Sequence, residues 1–430
     1  MKPLPERLIH PRDEIMQTME RIYQYRMTTT SGGNISIREA NSDIWITPAR
    51  VDKGGLRRDD IVCIHANGQV EGRHQPSSEF LFHQAVYEAR PELRAVVHAH
   101  PVALVASSLC RQAPDTRLLH QARYVCGEVG IAKYALPGSP ALAAEISQTF
   151  RRGFSCVILE NHGVVVGGED LSQAFQRFET LEFTGKTIIK ARMLGPIRYL
   201  TDAEIELPRS AAKPLPPFVR PAATSEEKEL RRQLVEFVRR GYRQRLLIST
   251  EGSFSARLAD GSFLITPCRV DRHTVDIDDL VLVHDGAAEE GKRPSRASHN
   301  HAAIYRRHPT IRAIVNAYTV NATAFSVTGT PLDSRTIPES YVFLRHVGRL
   351  PFGPQFTDSE MVAARVSPER PSLIMENDGV LVCGDSVLNA FDRLEVLEAT
   401  AEAIINTRHL GAITPMEDAV VAELERVFLS

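Results

Sequence analysis

The second half of this 430-residue chain repeats the first, and that duplication limits the fold more than any other feature. SGGNISIR at 31–38 returns as TEGSFSAR at 250–257, and ITPARVD at 46–52 returns as ITPCRVD at 265–271. HQAVYEARPELRAVVHAH at 83–100 returns as HAAIYRRHPTIRAIVNAY at 301–318, and ENHGVVVGG at 160–168 returns as ENDGVLVCG at 376–384. The copies stay about 218 residues apart throughout, the mark of a tandem duplication. Each half must therefore close a core of its own, and the length suits two domains. Residues 207–225 hold five prolines and no periodicity, so they read as a linker between domains at 1–206 and 226–430.

Within the first half the pattern alternates helix and strand. Residues 13–27 read as a helix, followed by a Gly-rich turn to Asn34. Residues 35–38 and 44–47 read as a hairpin, and 60–65 as another strand. Ser77 or Ser78 is placed to cap a helix over 80–90, which Pro91 stops. Helices are expected over 141–152 and 170–193, with a strand at 155–160 between them.

The segment RAVVHAHP at 94–101 reads as a buried strand ending in two imidazoles. Side chains alternate along a strand, so His98 and His100 point to one side. Two such rings can ligate a divalent ion such as zinc, or simply be a polar strand end. ENHG supplies a third imidazole, His162, and PSSE supplies Glu79. Three histidines and a glutamate make a full ligand set for a catalytic metal with one open position. The second half has lost this set: His98 becomes Asn316, His100 Tyr318, His162 Asp378 and Glu79 Ala297. It reads as a folded copy without the metal.

Composition narrows the function classes. A formal net charge of -2 gives no electrostatic case for nucleic acid or a membrane surface. The N-terminus lacks a signal-peptide core, and no apolar run approaches the roughly 20 residues of a membrane helix. The six scattered cysteines form no CxxC pair and read as reduced thiols, so a cytoplasmic location is expected.

Taken in order, SGGNISIR, ITP, DIV, PSSEFLFH, AVVHAHP and ENHG resemble the class II aldolase/adducin family, which includes L-fuculose-phosphate aldolase. The resemblance covers about 13–195, and 226–410 more weakly. It implies two α/β/α sandwiches, each around a mainly antiparallel sheet. It also implies that His98, His100 and His162 bind one divalent metal per chain, zinc first and manganese, cobalt or iron otherwise. Glu79 is then metal neighbour and acid/base, and Asn34, Thr47, Ser77 and Ser78 fall where phosphate is held. Two positions depart from the pattern. Arg50 follows where small residues are usual, and its fork suits a phosphate or a carboxylate, although Arg269 recurs in the metal-free half. Gln121 aligns nearest the tyrosine that protonates the leaving aldehyde in the aldolases, with Tyr124 three residues later.

These residues fit a metal-dependent carbon–carbon lyase acting on a small hydroxy-ketone or sugar phosphate through a stabilised enediolate. Decarboxylation of a small keto or hydroxy acid at the same site is the nearest alternative. A non-catalytic interaction module, like the adducin head, is the rival from another class. The expected assembly is a homodimer whose four domains stand in for the family's tetramer.

Overall fold

The computed structural model describes residues 9–211 and 213–429. The described chain divides into two compact units. One runs through Thr116 and includes Ala122–Gly185; the other contains Arg117–Gln121 and everything from Lys186 onward.

The first unit is built on eight strands: β1 (Asn34–Arg38), β2 (Ile44–Ile46), β3 (Val62–Ile64), β4 (Val70–Glu71), β5 (Ala95–Ala99), β6 (Val129–Ala132), β7 (Cys156–Leu159) and β8 (Val164–Gly168). Their order is β4-β3-β2-β1-β5-β8-β7-β6. Every pair is antiparallel except β6 with β7. The central strand β5 is wholly buried, which explains why AVVHA reads as a near-continuous apolar run.

Helices cover both faces of this sheet. Six helices are relevant to the site: α1 (Pro11–Gln24), α2 (Phe80–Ala89), α3 (Val102–Leu109), α4 (His120–Cys126), α5 (Pro140–Arg151) and α6 (Leu171–Leu194). α1 places Ile15, Met19 and Ile22 on one core with Ala95, Val97, Val164 and Phe178. α2 and α5 place Phe82, Val86, Leu142 and Ile146 on the opposite core with Val96, Val157 and Val165. Alternate residues of β5 thus feed opposite layers, and each fully buried side chain of this size contributes about 1.5–3 kcal/mol. The three-layer α/β/α sandwich is as expected.

Local details differ from the sequence reading. α1 starts earlier, because His10 Nδ1 accepts from Arg12 N at 3.1 Å and Pro11 occupies the first turn. It ends at Gln24, before Arg26 turns left-handed at φ 55°. Neither Ser77 nor Ser78 caps α2. The N-cap is Glu79 itself, and Ser77 Oγ accepts from the Glu79 amide at 3.3 Å. This arrangement frees the Glu79 carboxylate to turn away from the helix.

The second unit carries nine strands: β9 (Pro217–Phe218), β10 (Ser253–Arg257), β11 (Phe263–Ile265), β12 (Val281–His284), β13 (Ala287–Glu289), β14 (Ala313–Ala317), β15 (Gly348–Leu350), β16 (Ser372–Met375) and β17 (Gly379–Gly384). Their order is β15-β16-β17-β14-β10-β11-β12-β13-β9. Removing β9 leaves the order of the first sheet. The proline-rich stretch is more ordered than a linker. The helix Asp202–Ser210 runs into it, capped by Thr201, and β9 pairs parallel with β13. Pro208 lies in the last turn of that helix, where its missing N–H forgoes the bond to the Glu204 carbonyl and helps to end the helix.

Candidate metal centre

β5 delivers His98, His100 follows one residue past its end, and the turn between β7 and β8 delivers His162. The three rings meet with centroids 4.9 to 5.0 Å apart. Their ligand atoms lie within 4.8 Å of one another. Glu79 joins them from the start of α2, with Oε2 3.3 Å from His98 Nε2 and Oε1 3.6 Å from His162 Nε2. The four residues that sequence reasoning chose as ligands therefore converge.

The backbone around them permits this approach only because two positions are glycine. A Cβ on Gly163 would lie 2.6 Å from the Ala99 carbonyl oxygen and 2.6 Å from His100 Cδ2. A Cβ on Gly33 would lie 2.8 Å from the His98 carbonyl oxygen, at a backbone φ of 76°. Glu182 of α6 supports the same strand end by accepting from the Ala103 and Leu104 amides at the start of α3.

The donors suit a divalent ion. His98 Nδ1 donates to the Val164 carbonyl at 2.9 Å, which fixes the tautomer and leaves Nε2 as a lone-pair donor. His98 Nε2 and His100 Nε2 stand 3.2 Å apart. Tetrahedral zinc with bonds of about 2.0–2.1 Å separates its ligands by roughly 3.3 Å. Burial holds the His98, His100 and His162 pKa values below the ordinary histidine value, furthest at His98, so the neutral ligand form prevails. Glu79 Oε1 and His162 Nδ1 are buried without a hydrogen-bond partner, so the protein leaves polar capacity here unused.

A chain of hydrogen bonds leads into Glu79. Asn34 lies across from His98 in the β1–β5 register. Its Nδ2 donates to Glu79 Oε2 at 2.7 Å, and its Oδ1 accepts from His83 Nε2 at 2.5 Å. Ser36 donates to His83 Nδ1 at 2.7 Å and accepts from the Tyr87 hydroxyl at 2.6 Å. This direction follows from the network, since Glu79 can only accept when ionised. Burial lowers the His83 pKa to about 3 and raises that of Tyr87, keeping both neutral. Sequence reading missed Ser36 and Tyr87 as parts of the site. Their recurrence as Ser255 and Tyr305 was the available signal.

The other expected contacts are dispersed. Thr47 is buried, and its Oγ1 accepts from the Ile35 amide at 3.2 Å, a strand-pairing role that Thr266 repeats with Phe254. Ser78 and Arg50 are exposed, and neither hydrogen-bonds to the triad among the described residues. Arg50 and Arg269 share a left-handed backbone, at φ 57° and 61°. Gln121 lies in the second unit, where its side-chain amide donates to Glu251. A second group of possible donors, Asp43, Cys63 and His65, lies by β2 and β3. There His65 is already engaged by Asp43 at 3.0 Å and Glu71 at 3.3 Å.

The second unit has a different interior at the matching place. The Tyr318 hydroxyl donates to Asp378 Oδ1 at 2.6 Å, and Asn316 Oδ1 accepts from His301 Nε2 at 2.6 Å. His120 Nδ1 sits 3.4 Å from Asp378 Oδ1, and Arg296 donates to His120 Nε2 at 3.0 Å.

A family profile described as the class II aldolase and adducin N-terminal domain matches residues 13–189 and again 232–405. The chain belongs to the class II aldolase/adducin family. Among its class II aldolase relatives, a 3-oxo-tetronate 4-phosphate decarboxylase from Haemophilus influenzae is 35% identical over 198 residues. That match spans 45% of this chain and 93% of the relative. An L-fuculose phosphate aldolase from Methanococcus maripaludis is 32% identical over 172 residues, spanning 39% of this chain and 91% of the relative. The crystal structure of YgbL, a putative aldolase/epimerase/decarboxylase from Escherichia coli, is 30% identical with a TM-score of 0.42. It covers 45% of this chain and 95% of that one. Among the described residues, no helix is long and apolar enough to cross a membrane.

Proposed function

We propose that the chain is a metal-dependent carbon–carbon lyase, with a catalytic first domain (1–206) and a metal-free pseudo-domain (226–430). The observation that carries this reading is the convergence of three neutral imidazoles on a partly orphaned glutamate. His98, His100 and His162 would hold one divalent ion, zinc first among the choices, with Glu79 at its side. When bound, such an ion supplies Lewis-acid stabilisation of negative charge on a substrate carbonyl and an adjacent oxygen.

The chain's own residues supply the rest. Glu79 is the proton carrier: its Oε1 is open, while Asn34 holds Oε2. The buried Ser36–His83–Asn34 relay keeps that carboxylate in one orientation, so little reorganisation is needed as the substrate reacts. Asn34, Ser77, Ser78, Thr47 and Arg50 are the proposed wall for a phosphate or carboxylate of a small polyhydroxy ketone or keto acid. Arg50, exposed and fork-shaped, is the cationic member of that wall.

Of the two bonds such a site can break, the bond to a carboxylate is favoured. Gln121 aligns nearest the tyrosine that protonates a leaving aldehyde in the aldolases, and its amide is committed to Glu251. Carbon dioxide leaves without needing a proton. The 3-oxo-tetronate 4-phosphate decarboxylase relative supports the same reading. Aldol cleavage of a sugar phosphate is the alternative, supported by the L-fuculose phosphate aldolase relative. A panel of phosphorylated 3-oxo acids and ketose phosphates, assayed separately for CO₂ and aldehyde release, tests both. Release of neither, by protein carrying one metal per chain, would leave the adducin-like binding module as the better account. The working assembly is proposed to be a homodimer.

A further inference from the structure

On the sheet face opposite the three imidazoles, β2 and β3 bring a thiol, an imidazole and a carboxylate together. Ile44 pairs with Ile64, so Asp43, one residue before β2, comes beside His65, one residue past β3. Cys63 is two residues from His65 and takes the same side. It packs in the layer of Trp45, Val97 and α1, whereas His98 alternates with Val97 and meets Phe82 of α2 in the other layer.

The separations suit a metal ion. His65 Nδ1 lies 3.0 Å from Asp43 Oδ2 and 3.9 Å from Cys63 Sγ, and the three ligand atoms fall within 4.8 Å of one another. Tetrahedral zinc, with bonds of about 2.3 Å to sulfur and about 2.0–2.1 Å to nitrogen or oxygen, sets these two separations near 3.3 and 3.5 Å. His65 Nε2 lies 3.3 Å from Glu71 Oε2, the outer carboxylate that orients a metal-bound imidazole. Cys63 is fully buried, while the side chains of His65 and Asp43 are 31% and 17% exposed, so an ion can enter from solvent and keep a water ligand.

The duplication shows that the strands do not need this set. Phe263 pairs with Val283 as Ile44 does with Ile64, which puts Ser262, Leu282 and His284 at the places of Asp43, Cys63 and His65. The bridge from Arg12 to Glu71 returns as Arg231 with Glu289, so it belongs to the framework. The thiol and the carboxylate belong to the first copy only.

We propose that Cys63 Sγ, His65 Nδ1 and Asp43 Oδ2 form a second, exchangeable site for a thiophilic divalent cation, zinc above all. A thiolate with an imidazole selects such an ion over magnesium or calcium. Binding releases two protons to solvent, one from the thiol and one from Nδ1, and leaves the Nε2 proton on Glu71. Burial and the charges of Asp43, Glu71 and Glu39 push the Cys63 thiol up to about 11, and the Asp43 hydrogen bond raises the His65 pKa, so protons compete with the ion at neutral pH. The site therefore fills when zinc is supplied and empties on dialysis, and the ion proposed for His98, His100 and His162 is the one retained. The bound ion clips the start of β2 to the end of β3, a role independent of the lyase reading.

Cobalt(II) distinguishes the two sites, because only a thiolate ligand gives a sulfur-to-cobalt charge-transfer band in the near ultraviolet. Full-length protein, dialysed and titrated with cobalt(II), should develop that band up to one equivalent, and added zinc should bleach it. Cys63→Ala should abolish the band, whereas Cys110→Ser, at the exposed thiol, and His98→Ala should keep it. Asp43→Asn still accepts from the Ala66 amide but loses the charged ligand, and Glu71→Gln loses the outer carboxylate. Each should weaken cobalt binding at least about 10-fold with circular dichroism unchanged. Should Cys63→Ala fail to fold, the Asp43→Asn titration decides. No band at millimolar cobalt, a band that survives Cys63→Ala, or undiminished affinity in Asp43→Asn would each overturn the proposal.

Discussion

His98 and Asn316 occupy the same position on equivalent central strands, and each faces the residue that matches across the sheet: Asn34 for His98, Ser253 for Asn316. One pair sits in a set of candidate metal donors and the other in a closed hydrogen-bonded interior. Elemental analysis of purified protein should therefore find one divalent ion per chain. His98→Ala should lose it, and Asn316→Ala should keep it. Metal retained by His98→Ala would move the site elsewhere.

Glu79→Gln tests the proton carrier apart from the ligands. The amide oxygen can still accept from Asn34, and the three imidazoles are untouched. Metal content should hold while turnover falls by about 10²–10⁴, the usual contribution of a positioned acid or base. Unchanged turnover with intact metal would remove Glu79 from that role.

The Ser36 relay allows a paired comparison. Ser36→Ala leaves the buried His83 Nδ1 without its donor and the Tyr87 hydroxyl without its acceptor, and Ser255→Ala removes the same hydroxyl from His301 and Tyr305. Each should cost on the order of 1–3 kcal/mol in urea unfolding. Only Ser36→Ala should also lower kcat, because only its chain ends on Glu79. Equal kinetic effects from both would show the relay to be structural in each half.

Asp378 gives a dependence on pH. Burial raises its carboxyl pKa from 3.8 to about 7, against the hydrogen bond from Tyr318 and the charge of Arg296, which lower it. The folded chain then holds this proton more tightly than the unfolded chain does. The stability it contributes is complete below about pH 4 and is lost as the pH rises through 7. Asp378→Asn should flatten that slope, so that between pH 5 and 8 the variant loses on the order of 2 kcal/mol less than wild type. Thermal unfolding at pH 5, 6, 7 and 8 reads this directly. Parallel curves for the two proteins would refute the assignment.

The sequence by itself determined the duplication and the layered fold, and it named the three imidazoles and the carboxylate that the structure brings together. Strand alternation is local, so the spacing of His98 and His100 placed both on one side. The repeat then shows which framework residues recur where the candidate ligands are lost, His83 as His301 among them. Tertiary structure alone decided how Glu79 is held and where Gln121 goes. Ser36 and Tyr87 are 51 residues apart, and nothing in either local pattern states that they touch. Leu118, Leu119 and His120 lie in a stretch with no regular period, yet they are buried in the second unit. Periodicity records that a side chain is covered, because covering removes apolar surface from water. It does not record which segment does the covering, since that depends on how distant parts of the chain close on one another.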